Sequence, residues 1–184
     1  MPRICAALVV MALAVVAVIL LVNLPGGSSP SSEAQAAPPA EVTCDPIGEG
    51  TTKIAPRRDA VVGPLALIGA RQTPRRQPDA FGRQGYKVPV TLPEGMTATL
   101  VVPEHLRGRV GLVFSPRAQD AVLESGMRGA DSAVRFTACE PEGEPGRSGW
   151  PGGLVVDSPR CATLIVQVPG EAPERRRVPL GRRC

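Results

Sequence analysis

"RSGWPGGLVVDSPRCATLIVQV", residues Arg147 to Val168, decides the fold. Two apolar runs, "GLVVDS" (Gly153 to Ser158) and "ATLIVQV" (Ala162 to Val168), are rich in β-branched residues and too short for helices. Pro-Gly-Gly precedes the first run and Asp-Ser-Pro-Arg separates the two, so preset and permissive backbone angles fall where the chain must reverse. The stretch reads as a hairpin, and Cys161 inside it offers a staple.

Working outward, short runs of the same kind recur along the chain. They are Pro64 to Ala70, Tyr86 to Leu92, Thr97 to Val102, Arg109 to Ser115, Ala133 to Cys139 and Arg175 to Gly181. Turn signals interrupt them every several residues, and "LPEGM" places Pro93 and Gly95 for a tight turn. In "VRFTAC", Val134, Phe136 and Ala138 share one face and Arg135, Thr137 and Cys139 the other, as strand geometry requires. "ATLIVQV" is nearly continuously apolar, which suits a strand covered on both faces or one near the middle of a sandwich. Pro89 inside "KVPVTL" places that strand at an edge. Only "SPRAQDAVLESGMRG" offers helical spacing, with Ala118, Val122 and Leu123 as its apolar positions. The expectation is an all-β fold, a small disulfide-stapled, Ig-like β-sandwich.

The first residues belong to another environment. From Ile4 to Val22 there are nineteen residues without a charge, behind Arg3. As a helix they reach roughly 28 Å, close to the hydrocarbon thickness of a bilayer. Arg3 lies before the run and the next basic residue is Lys53, so the N-terminus is expected in the cytoplasm and the domain outside. Residues 1–24 are therefore a transmembrane anchor or a signal peptide. The small-residue site Ala34-Gln35-Ala36 lies a dozen positions beyond Val22, which favours an uncleaved anchor; secretion after cleavage near Ala36 is the alternative. Residues 25–41, rich in Pro, Ser and Ala, lack the apolar surface to offset ordering entropy and read as a disordered tether. Residues 42–184 form the extracytoplasmic domain.

Composition limits the partners. The chain has 184 residues with a formal charge of +4, but aromatics make up only 3%. Its interior must be built from Val, Leu, Ile and Ala, and basic surfaces lack the interleaved aromatic platforms of single-stranded nucleic-acid binders. No nucleic-acid partner is expected. Outside the apolar run stand four cysteines, Cys44, Cys139, Cys161 and Cys184, an even number in an exported domain, hence two disulfides. Of three possible connectivities, Cys139 with Cys161 and Cys44 with Cys184 is the expected one. Nothing in the cysteine and histidine spacing matches a metal site, and no cofactor is expected.

Catalytic motifs are sparse. The single histidine, His105, sits in a turn-like context, and Ser148 has no obvious base. "GEGTTK" (Gly48 to Lys53) lacks the full spacing of a phosphate loop. Glu140, Glu142 and Glu144 read as a solvated acidic loop. Two features offer a binding surface. Trp150 is either an exposed platform or, in a core this poor in aromatics, a buried anchor. Arg175, Arg176 and Arg177, with the "GRR" that follows, are either a contact for anionic headgroups or wall polymers or the charged face of an edge hairpin.

The series "KVPVTLPEGMTATLVV", "VRFTAC", "GWPGG", "PRCATLIVQV" and "VPLGRRC" resembles uncharacterised exported four-cysteine β-domain proteins of GC-rich bacteria. The resemblance implies an exported β domain and carries no activity. The leading expectation is a membrane-anchored, non-enzymatic module of the cell envelope with a protein or cell-wall partner. The alternatives are a secreted envelope hydrolase and a small-ligand module using the Trp150 loop.

Overall fold

A computed structural model describes residues 37–44, 53–72, 74–143 and 146–184. The proposed membrane or signal helix and most of the tether lie outside them, as does most of "GEGTTK". Among the described residues no helix is long and apolar enough to cross a membrane.

The domain is mostly β. Its strands are β1 (Ala40–Val42), β2 (Ala60–Val62), β3 (Leu65–Leu67), β4 (Gly85–Lys87), β5 (Val90–Pro93), β6 (Thr97–Val101), β7 (Val110–Val113), β8 (Ala133–Thr137), β9 (Arg147–Trp150), β10 (Gly153–Val156), β11 (Arg160–Gln167) and β12 (Glu174–Leu180). They form a five-stranded sheet of order β1-β8-β6-β11-β12, a three-stranded sheet β4-β10-β7 and a four-stranded sheet β2-β3-β5-β9. Neighbours pair antiparallel except β1, which runs parallel to β8.

Alternation explains the largest sheet. Ala98 and Leu100 of β6, Val134 and Phe136 of β8, and Ala162, Leu164 and Val166 of β11 point inward, while the residues between them are half-buried or exposed. They meet Leu65, Leu67, Leu92, Leu112, Leu154 and Leu180 in one core shared by all three sheets. Aromatics are few but central, since Phe136 packs edge-on to Phe114 at 5.2 Å and against Trp150 at 5.1 Å. β11 therefore has one half-buried face. β7 and β10 are buried on both faces, because a second cluster of Val113, Val155, Phe81, Ala118 and Val122 fills the side away from the main core.

That second cluster needs two helices, α1 (Pro78–Phe81) and α2 (Pro116–Ser125). Ser115 starts α2: its Oγ accepts the Ala118 N–H at 3.1 Å and donates to Asp131 at 2.8 Å, and Pro116 occupies the first turn, where no N–H partner is required. Ala118 and Val122 face inward as expected, but Leu123 is 55% exposed. The helix is too short and too near the surface to bury a wider stripe.

Four sequence expectations are corrected. The two apolar runs of Arg147 to Val168 do not form a hairpin with each other: β10 pairs with β4 and β7 and β11 with β6 and β12, so the Asp157 to Arg160 turn carries the chain from one sheet to another. "KVPVTL" is not one edge strand: it breaks at Val88 and Pro89 into β4 and β5, which enter different sheets, and β5 lies between β3 and β9. Proline's missing N–H is accommodated at the break, where its carbonyl accepts the Ile68 N–H at 2.8 Å. The disulfides pair Cys44 with Cys139 and Cys161 with Cys184, not Cys139 with Cys161 and Cys44 with Cys184. Parallel pairing of β1 with β8 brings the ends of both strands together, and each strand is followed two residues later by one of the first pair. At the other staple, Gly181 adopts a positive φ of 77° and turns the tail back, so that Cys184 reaches Cys161. Finally, β1 begins at Ala40, inside the stretch read as tether.

Candidate anion-binding groove

β12 is the last strand of the five-stranded sheet. Its even-numbered residues Val178 and Leu180 are buried, which leaves Arg175 and Arg177 on the outer face and Arg176 half-buried at the rim. Opposite them on β11 stand Ile165 and Thr163. Two further segments close around this edge. The turned-back tail brings Arg183 and Cys184, and the segment after β3 brings Arg71 and Gln72. Together with Arg175, Arg176, Arg177 and Pro179 they line an open groove of about 850 Å³.

Each wall has a structural cause. The Cys161–Cys184 bridge holds the tail over the outer face, and the Arg177 Nε lies 3.2 Å from Cys161 Sγ. Arg71 is positioned by a buried carboxylate. Asp59, fully buried, accepts the N–H of Ala55 at 2.7 Å, the N–H of Gly69 at 2.8 Å and the Arg58 Nε at 3.0 Å. The backbone N–H of Arg71 then donates to the Arg58 carbonyl at 2.8 Å. Burial pushes the Asp59 pKa up, but the Arg58 hydrogen bond and the two N–H donors outweigh it and hold the carboxyl below its ordinary range.

The groove is electrostatically one-sided. Among the described residues, ion pairs join Arg58 to Asp59, Arg117 to Asp131, Arg135 to Glu41 and Arg160 to Asp157; none involves Arg71, Arg175, Arg176, Arg177 or Arg183. Glu174, which begins β12, has a carboxylate oxygen accepting the Gly63 N–H at 2.9 Å. Guanidinium groups in such a concavity present forked donors that match carboxylate or phosphate oxygens.

Trp150 does not belong to this surface. It lies on β9 in the four-stranded sheet, is only 4% exposed, and its Nε1–H donates to the Thr43 carbonyl at 2.9 Å. Of the two readings of Trp150 the exposed platform falls and the buried anchor stands: the indole anchors the segment that carries Cys44 to the core. Gly152, two residues on, permits the close packing, because a Cβ there would lie 2.2 Å from Phe114 Cδ1.

The remaining sequence candidates hold no constellation. His105 is exposed in a single 3₁₀ turn, Glu104–Leu106. Ser148 Oγ accepts the Cys139 N–H at 2.8 Å and is occupied in structure. Glu140 and Glu142 are exposed, and Glu144 lies outside the described residues. Among the described residues no group of three or more His, Cys, Asp and Glu side chains is placed to hold a metal. A smaller hollow of about 260 Å³ lies between α1 and α2, lined by Phe81, Leu123 and Pro151. Sequence reasoning missed Arg71 and Gln72; they reach β12 only through the Asp59-clamped loop, and no local pattern signals that.

Comparison with protein-family models, with curated proteins and with solved structures finds no match to this chain.

Proposed function

We propose that the chain is a non-enzymatic binding module of the cell envelope, tethered by its N-terminal apolar segment to the outer face of the membrane, that engages an anionic partner through the β12 groove. The observation that carries the reading is the convergence of five arginines from three separate segments on one concavity, with none of them ion-paired among the described residues. Protecting a sheet edge from aggregation needs only a charge or two on the strand itself. It does not call for Arg71 and Arg183 to be brought in, one by a buried aspartate clamp and the other by a covalent bridge. Two disulfides support an oxidising compartment, in keeping with the outward orientation read from Arg3 and the apolar run. The finer architecture proposed is an Ig-like sandwich, with strand alternation and the shared core as its support.

The test is calorimetric titration of the oxidised protein with poly-L-glutamate at low and high ionic strength. Saturable binding is expected that weakens with salt and falls at least about tenfold in the Arg175→Ser/Arg177→Ser variant, each charge-assisted hydrogen bond being worth roughly 1.5–3 kcal/mol. Absence of binding at low salt, or binding that the variant leaves unchanged, refutes the reading.

A further inference from the structure

The groove also has a backbone side. In an antiparallel sheet successive residues turn their N–H and C=O groups to opposite edges. The Val102 N–H donates to the Ser132 carbonyl at 2.8 Å, so the even residues of β6 bond to β8 and the odd residues Thr99 and Val101 bond to β11. Their partners on β11 are Gln167 and Ile165, which leaves the even residues of β11 to bond β12. Leu164 opposes Arg176 and Ala162 opposes Val178, so on β12 the even residues are engaged. Arg175, Arg177 and Pro179 therefore turn their main-chain groups to the open edge. Pro179 is itself buried, but its ring nitrogen, which has no N–H to leave unpaired, is directed to that edge, as in prolines of edge strands.

We infer that β12 docks an extended acidic polypeptide segment as an added strand, its carboxylates meeting the arginines of the groove. The inference deepens the groove reading and rests on it. Two independent observations converge: among the described residues the main-chain groups of Arg175 and Arg177 have no backbone partner, and the guanidinium groups from the same strand and from both flanks enter no ion pair. A peptide satisfies donors and acceptors alike, whereas a phosphate polymer would leave the edge carbonyls without partners. A second copy of β12 is a poor occupant, since edge-to-edge pairing sets arginines of one strand beside those of the other, and like charges across a ladder repel. The ladder is short. Glu174, tied to Gly63, closes one end and Pro179 the other, which leaves the four residues Arg175 to Val178, roughly 14 Å, for main-chain pairing.

The experiment uses the full oxidised domain and a six-residue peptide of alternating glutamate and valine. A second peptide of the same sequence is N-methylated at alternate backbone nitrogens, and poly-phosphate serves as a non-peptide polyanion. Binding is followed by calorimetry and by amide hydrogen exchange. At saturation the Arg175 and Arg177 amides are expected to slow by at least about tenfold, Arg176 and Val178, already bonded to β11, to change little, and N-methylation to weaken binding at least about tenfold. Equal binding of both peptides without protection of Arg175 and Arg177 overturns strand addition while leaving the groove reading intact. Tighter binding of poly-phosphate than of the peptide has the same meaning. If neither the peptides nor poly-phosphate bind, both readings fall. Arg175→Glu/Arg177→Glu, with its thermal transition checked against wild type, reverses the charge without removing a backbone group and is expected to abolish binding of the acidic peptide.

Discussion

The two disulfides look equivalent in sequence but are expected to differ sharply in what they contribute to stability. Replacing each pair by serine tests this. Cys44–Cys139 spans a separation of 95 residues and Cys161–Cys184 one of 23. On loop-closure entropy alone the first stabilises by about 4.7 kcal/mol and the second by about 3.4 kcal/mol. The native states respond differently. Beyond Leu180 the tail is held by the Cys161–Cys184 bridge and an isolated pairing of Gly181 with Arg160. Cutting the bridge frees Arg182 to Cys184, and about 1–2 kcal/mol of backbone entropy per residue offsets most of the loss. By contrast, Cys139 is buried and the segment before Cys44 remains held by β1–β8 pairing and the Trp150–Thr43 hydrogen bond, so little entropy is regained there. At about 3 °C per kcal/mol for a domain of this size, Cys44→Ser/Cys139→Ser is expected to lower the Tm by up to about 14 °C. Cys161→Ser/Cys184→Ser is expected to shift it by only a few degrees while weakening poly-L-glutamate binding, because Arg183 leaves the groove. Scanning calorimetry of both variants without reductant is the assay. Equal losses, or the larger loss in the Cys161/Cys184 variant, would refute the reasoning.

Two further expectations concern single residues. Trp150 is the only tryptophan, so acrylamide quenching of native fluorescence reports it alone and is expected to be several-fold weaker than after unfolding in urea; equal quenching would sink the anchor role. Asp59→Asn is expected to destabilise by about 1.5–3 kcal/mol at pH 7, through weakened hydrogen bonds from Arg58, Ala55 and Gly69. Since its folded pKa is depressed, that contribution is present above the ordinary carboxylate range and is lost as pH falls through the folded value. The gap in urea midpoint between wild type and variant should therefore narrow in acid, and a gap constant from pH 7 to about pH 2.5 would contradict the clamp.

Much of the β character was legible because alternation is a local property. Thr97 to Val102, Ala133 to Cys139 and Ala162 to Val168 each contain most of an observed strand, since their inward residues recur every second position. β1, β2 and β9 left no such trace. β9, "RSGW", carries two polar residues and a glycine, and is a strand only because β5 supplies its partners and Ser148 finds the Cys139 N–H inside. Disulfide connectivity was illegible for the same reason. It follows from a parallel pairing between β1 and β8, distant in sequence, and no local pattern announces it. Of the candidate surface, the arginines of β12 stood out as a charge run. Their convergence with Arg71 depends on the fold of residues 55–71 around Asp59.

The Cys44–Cys139 bridge sits where the chain upstream enters the sheet. A pull applied from that side first meets β1, three residues of ladder that yield readily. It then meets a covalent bond to Cys139, two residues past the end of β8, a strand flanked by β6 as well as β1. Unravelling from that end halts at Cys44, after residues 37–44 have given roughly 27 Å of slack. Under tension the domain thus behaves as a short extensible leash ending in a fixed clamp, and the β12 edge, separated from β1 by β8, β6 and β11, keeps its shape while the leash is drawn out.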